Sequence, residues 1–145
     1  MTNVWLAAGG ALSATASLLH VGCIFGGPAW YRALGAQERM ARMAVQGKLE
    51  PAIITFGIAL MLAVWAVYAF SGAGLIARLP LLRTGLIVIC AIYLARAAAL
   101  PLMIRYWPGN LSPTFLTVSS AIVLVFGVVH LIGIVTGWGQ LSAGR

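Results

Sequence analysis

Apolar residues run almost unbroken through four stretches of this chain, 4–26, 51–70, 80–104 and 113–137, and polar residues gather between them. At a rise of ~1.5 Å per residue, each stretch is close to the length that crosses a ~30 Å hydrocarbon core as an α-helix. The pattern predicts an all-α membrane protein, a four-transmembrane-helix up-down bundle forming a single integral membrane domain over residues 1–145. The punctuation agrees. Gly26-Gly27-Pro28 ends the first span, with Pro28 placed to start a short helix after it, and Pro51 opens the second span behind Glu50. A carboxylate at Glu50 also suits the positive end of that helix's dipole. Ser71-Gly72-Ala73-Gly74 breaks the second span, Pro80 begins the third, and Pro101 ends or kinks it. Ser112 is placed to cap the fourth span, with Pro113 at its first helical position.

The polar and small positions inside the spans are arranged in stripes. Gly10, Ser13, Ser17 and His20 recur at helical spacing in the first span, with Gly9 beside them. Such a stripe faces other helices, because small residues allow close approach and polar ones need partners. Gly127, His130 and Gly137 share a face of the fourth span, and Gly133 with Gly137 makes a GxxxG packing motif. The link between the first two spans is itself patterned over residues 36–46. Met40, Met43 and Ala44 lie on one side and Arg39, Arg42 and Gln46 on the other, which predicts an interfacial amphipathic helix, the alternative being a plain solvated loop. Trp30-Tyr31 and Tyr106-Trp107 stand where interfacial aromatic belts form.

Composition strengthens the membrane reading. The chain is 62% hydrophobic and 8% charged, against about a quarter charged in soluble domains, and its mean hydropathy is +1.02. The net charge of +7 comes from basic residues placed between apolar runs, which suits anionic lipid headgroups and not nucleic acid. Arg32, Arg39, Arg42, Lys48 and Arg105 gather at one end of the bundle with Arg96 close by, and Arg78, Arg83 and Arg145 at the other. The positive-inside rule then puts the 28–50 link in the cytoplasm and both termini outside, in a bacterial-type cytoplasmic (inner) membrane. The N-terminus has no basic n-region, so the first span is expected to stay in the mature chain. Cys23 and Cys90 fall inside spans, where cysteine acts as a small apolar residue.

Candidate chemistry follows from depth. By helix rise, His20 lies ~9 Å below the cytoplasmic face and Arg96 ~12 Å below it, while Glu50 sits at the rim. Tyr93 is one turn beyond Arg96, and Thr114, Thr117, Ser119 and Ser120 occupy the same level. These residues predict a polar crevice in the cytoplasmic leaflet, with Arg96 binding a ligand's anionic group, Glu50 and His20 beside it in the site, and Tyr93 as a lining residue. The alternative is that Arg96 snorkels and pairs with Glu50 as a purely structural tie. Haem ligation by both histidines of one chain is disfavoured, since His130 lies ~25 Å from the face that His20 approaches. With no Asp, no HExxH and no CxxC in the chain, Asp-based triads and common zinc sites are excluded. A proton-coupled transporter would normally place a carboxylate near mid-membrane, and neither Glu38 nor Glu50 is there.

The four spans in so short a chain, the glycine-proline break after the first, and the charged link WYRALGAQERMARM resemble small bacterial four-helix inner-membrane proteins of the DoxX-like type. The resemblance covers the architecture of most of the chain and rests on no specific motif. It implies an accessory membrane protein, and through relatives similar to membrane subunits of quinone-linked oxidoreductases it implies a quinone or a partner protein. The expected function is a non-catalytic accessory subunit or a binder of lipid or another hydrophobic ligand. Alternatives are a quinone- or haem-binding oxidoreductase subunit and a small oligomeric transporter. The expected partners are membrane lipids and a larger membrane complex or homo-oligomer, with no nucleic acid.

Overall fold

Asn3 starts the first helix by accepting hydrogen bonds at its side-chain oxygen from the N–H groups of Trp5 and Leu6, both at 3.1 Å. The computed structural model describes residues 2–34, 38–106 and 113–142. Among them every regular element is a helix: α1 Val4–Ala33, α2 Glu38–Val45, α3 Glu50–Gly72, α4 Leu82–Ala98, α5 Leu100–Tyr106, α6 Pro113–Thr136 and α7 Trp138–Ser142. Helices α1, α3 and α6 are each long and apolar enough to cross a membrane. The pair α4 and α5 makes a fourth candidate if its two parts, bent by 48°, are counted as one span.

Local chemistry explains where these helices stop, and corrects several expected boundaries. Gly27 takes a backbone conformation (φ 62°, ψ −149°) that a side chain would resist, so the helix breaks there. It does not end at Gly26 as expected. Pro28, which has no N–H to lose at a first helical position, restarts it, and α1 continues through a kink to Ala33. At the end of α3, the N–H groups of Gly74 and Leu75 bond the carbonyls of Ser71 and Phe70 at 3.1 and 3.0 Å, with Gly74 at φ 79°. The helix of the third apolar stretch begins at Leu82 and not at Pro80. Ser71 Oγ donates to Ala77 O and accepts from Leu79 N–H, folding the link back on α3 until left-handed Leu81 (φ 52°) redirects the chain. Pro101 cannot donate to Ala97 O, which accounts for the bend between α4 and α5. The short α7, absent from the sequence pattern, is held by cations on its last carbonyls. Arg78 donates to Gln140 O and Leu141 O, and Arg83 reaches Ser142 Oγ while stacking 3.7 Å over Trp138. Trp107, the expected cap Ser112, Arg145, and Ala36 at the expected start of the interfacial helix lie outside the described residues.

The helices pack in the cyclic order α1, α3, α4, α6, and one end of the bundle is tight. Asn3 bonds α3's end through its own N–H to Ala73 O (3.1 Å) and bonds α6 through Nδ2 to Gly133 O (2.7 Å). Leu6, fully buried, lies against Gly133, where an added Cβ would come within 2.7 Å of Leu6 Cγ and 3.0 Å of its backbone N. Gly137 meets Asn3 just as closely, so the Gly133-Gly137 pair is the packing face its spacing suggests. Leu86, Cys90, Ile134 and Leu141 complete this end's core. The predicted stripe on α1 also faces inward. Gly9 takes the ring of His130, Ser13 Oγ bonds Tyr93 OH at 2.9 Å, and Ser17 Oγ donates to Ala59 O at 2.7 Å.

At the other end, α2 packs back on α1 through its apolar side, with Met40, buried Ala41 and Ala44 against Cys23 and Tyr31. Outside this contact, Arg32 donates from Nε and Nη2 to the two oxygens of Glu38, both at 3.1 Å, and Arg42 Nε stands 3.9 Å from Glu38 Oε1. Arg32's hydrogen bonds, helped by attraction to Arg32 and Arg42, hold the Glu38 carboxyl below its ordinary range against a partial desolvation.

Two predictions follow from these contacts. Gly133→Val is expected to cost about 1–3 kcal/mol by forcing apart α1 and α6. Gly57→Ala, with open space around its new methyl, is expected to stabilise α3 by up to about 1 kcal/mol. Thermal unfolding in detergent followed by far-UV circular dichroism separates them, and equal shifts would contradict the close packing. Because Glu38 has a lowered pKa in the folded state, its pairing contributes above the ordinary glutamate range and is lost as pH falls through the lowered value. Acidification, or Glu38→Gln at neutral pH, should therefore speed amide hydrogen exchange in α2 while leaving α3 unchanged. Unaltered exchange in α2 would show that the pair does not hold it.

Candidate functional site

Asn3 meets Gly137, Leu6 meets Gly133 and Gly9 meets His130 in the first third of α1, and farther along Leu12 and Ala16 share a packed cluster with Phe126 and Val123 of α6. Against α3, α1 stays close as far as Ser17 and Ala59. Toward the kinked end a crevice of about 490 Å³ lies between α1, α3 and α6. That size is within the range that holds small hydrophobic ligands. Its walls are Ala16, Leu19 and His20 from α1, Ile54, Thr55 and Ile58 from α3, and Val118, Ser119 and Ile122 from α6. Tyr93 of α4 lies at its inner end, and Tyr31 and Met40 line it where α1 kinks and α2 packs back. Leu19, Ile54, Val118 and Ile122 are also exposed at the bundle surface, so the crevice rim meets whatever surrounds the helices.

Its few polar groups are held in fixed positions. Tyr93 is pinned through its hydroxyl to Ser13 and packs edge-on to Trp65 and Phe126, with ring centroids 4.9 and 5.5 Å away. Thr55 Oγ1 donates to the Tyr31 hydroxyl at 3.2 Å, both side chains being buried. His20 is half-buried, and its Nδ1–H donates to Ala16 O one turn back at 2.7 Å. Ser119 Oγ donates to Leu116 O at 3.1 Å.

Of the four site residues expected from sequence, His20 and Tyr93 line the crevice, and Arg96 and Glu50 do not. Arg96 Nη1 instead donates to buried Ser120 Oγ on α6 at 3.1 Å. Glu50, the first residue of α3, is exposed, and both ion pairs among the described residues belong to Glu38. Distance along the helices explains why neither an Arg96–Glu50 tie nor a three-residue cluster forms. Tyr93 and Trp65 touch and so share a level. Glu50 lies ~22 Å beyond Trp65 toward the kinked end, whereas Arg96 lies only ~5 Å beyond Tyr93. An arginine side chain does not span the remaining gap. The crevice is accordingly apolar with isolated hydroxyl and imidazole groups, in place of the charged polar cleft that the sequence suggested.

The histidines are separated as their depth implied. His130 packs on Gly9, eleven residues before His20, a spacing of ~16 Å along α1. His130 is fully buried beside Tyr93, donates from Nδ1 to Phe126 O at 2.8 Å, and keeps Nε2 unbonded. Enclosed in this way, it has no space at Nε2 for a planar macrocycle. Among the described residues no group of three or more His, Cys, Asp or Glu side chains could hold a metal ion.

Sequence reasoning missed Tyr31 and Thr55 as site residues. Tyr31 was assigned to an interfacial aromatic pair, and only the kink at Gly27 turns it inward. Thr55 is one detectable signal, the one Ser or Thr hydroxyl within the apolar stretch 51–70, one turn from its start. The chain matches no known family model, and no curated protein or solved structure is significantly similar to it.

Proposed function

We propose that this chain is a multi-pass membrane protein that takes a hydrophobic ligand from the bilayer into the crevice between α1, α3 and α6. The crevice carries the reading. It combines a ligand-sized volume, apolar walls and a rim on the lateral surface of the bundle. The rest of that surface supports a lipid environment, since Leu18, Phe25, Ile53 and Val135 are prominently exposed. In this arrangement α1, α3, the bent α4–α5 pair and α6 are four spans. The 28–50 link faces the cytoplasm, both termini lie outside, and the membrane is a bacterial-type cytoplasmic membrane. The protein then acts as a non-catalytic ligand holder or accessory subunit, because among the described residues the crevice offers binding groups, and no base is hydrogen-bonded to Cys23 or another nucleophile there.

Two measurements test this. Lys48→Cys, in a link exposed in the fold, should react with a membrane-impermeant maleimide only after cells are permeabilised; labelling of intact cells would reverse the orientation. Ile58→Trp combined with Val118→Trp fills the crevice from its rim. The pair should weaken binding of an uncharged fluorescent hydrophobic dye by about tenfold or more, about 1.4 kcal/mol, with the melting temperature nearly unchanged. Undiminished dye binding by this folded variant would remove the crevice as the binding site.

A further inference from the structure

The crevice also specifies what kind of head group it accepts. Among the described residues, no charged side chain lines it. Arg96 is committed to Ser120, and the Arg32 and Glu38 charges are committed to each other outside it. A buried head group carrying a full charge would have no counter-charge there, at a cost of several kcal/mol. An uncharged head must be matched by the hydrogen-bonding atoms that remain unused. His20 spends its Nδ1–H on Ala16 O, so the neutral imidazole has only an acceptor to offer, at Nε2. Ser119 spends its hydrogen on Leu116 O and likewise keeps only acceptor capacity. Tyr31 accepts from Thr55 and so keeps its own O–H as a donor. His20, Cys23 and Tyr31 line the same crevice, and Cys23, one turn from His20 on α1, shares a buried cluster with Tyr31, which places the His20 acceptor and the Tyr31 donor in one neighbourhood.

Resting on the crevice as a ligand site, we infer that its ligand is a neutral amphiphile with a hydroxyl head. The hydroxyl donates to His20 Nε2 and accepts from Tyr31 O–H, while the chain or ring system fills the apolar walls. A hydroxyl is the smallest head that both donates and accepts. A ketone or ester could take the Tyr31 hydrogen but would leave His20 Nε2 unmatched, and a carboxylate would bring an unpaired charge. At ~30 Å³ for each water-sized group, the volume holds on the order of sixteen heavy atoms, which is one medium-length tail or a compact ring system and not a two-chain phospholipid.

The test is displacement of the fluorescent hydrophobic dye from wild-type protein by dodecyl alcohol, its methyl ether, dodecanoate and dodecylamine. The alcohol is expected to displace dye at about tenfold lower concentration than the ether, which carries a methyl in place of the donated hydrogen, and the two charged probes should be weaker still. In His20→Phe the ratio of alcohol to ether potency, taken within that variant, should shrink severalfold. Equal potency of alcohol and ether in wild type, or dodecanoate as the strongest competitor, would overturn the head-group inference but leave the crevice as a ligand site. Failure of wild type to bind the dye at all would overturn both readings. Because the comparison of probes uses the unaltered protein, it does not depend on whether the variant folds.

Discussion

Asn3 ties three helices with one side chain and one N–H. It caps α1, bonds the end of α3 through Ala73, and bonds α6 through Gly133. Helices in an apolar surrounding gain little from burying apolar area against each other, so close packing and hydrogen bonds decide where they touch. Here both devices are spent at the same end: Gly133 and Gly137 let α1 approach, and Asn3 bonds across the contact. The contact of α1 with α6 is clamped there. The crevice lies toward the far end, where α2, packed with Tyr31 and Cys23, covers part of it.

The same restriction shapes the side-chain chemistry. Polar groups inside the bundle mostly bond a backbone carbonyl of their own or a neighbouring helix: Ser17 to Ala59, His20 to Ala16, His130 to Phe126, Ser119 to Leu116. Each bond removes a donor from the interior and leaves an acceptor behind. A bundle furnished this way has little to offer an anion and much to offer a ligand that brings hydrogen to donate. His130 Nε2 shows the limit of the scheme, since it is buried without a partner, a state that weakens the fold unless something small and polar reaches it.

Much of the architecture was legible in the sequence, because apolar runs bounded by glycine and proline report both length and breaks. The stripe of Gly9, Gly10, Ser13 and Ser17 and the GxxxG spacing identified faces that do pack. The site was only half legible. His20 and Tyr93 sit at the crevice, but Arg96 and Glu50, the most conspicuous charges near that leaflet, are held apart by ~18 Å of helix length. Counting residues inward from each span's end already set Glu50 at the rim and Arg96 ~12 Å below it, and the Trp65–Tyr93 contact fixes the true separation as larger still. Tyr31 was illegible for a different reason. Its direction depends on one glycine's dihedral angles, which residue spacing does not encode.

The bend between α4 and α5 has a consequence for length. A straight helix from Leu82 to Tyr106 would run ~37 Å, overshooting a ~30 Å hydrocarbon core by more than a turn. Tilted by 48°, α5 adds only ~7 Å along the axis of α4, and the two together reach ~32 Å. Counted as one span, the pair is thereby brought by Pro101 to about bilayer thickness, a length that needs neither the tilt nor the lipid thickening that hydrophobic mismatch otherwise demands.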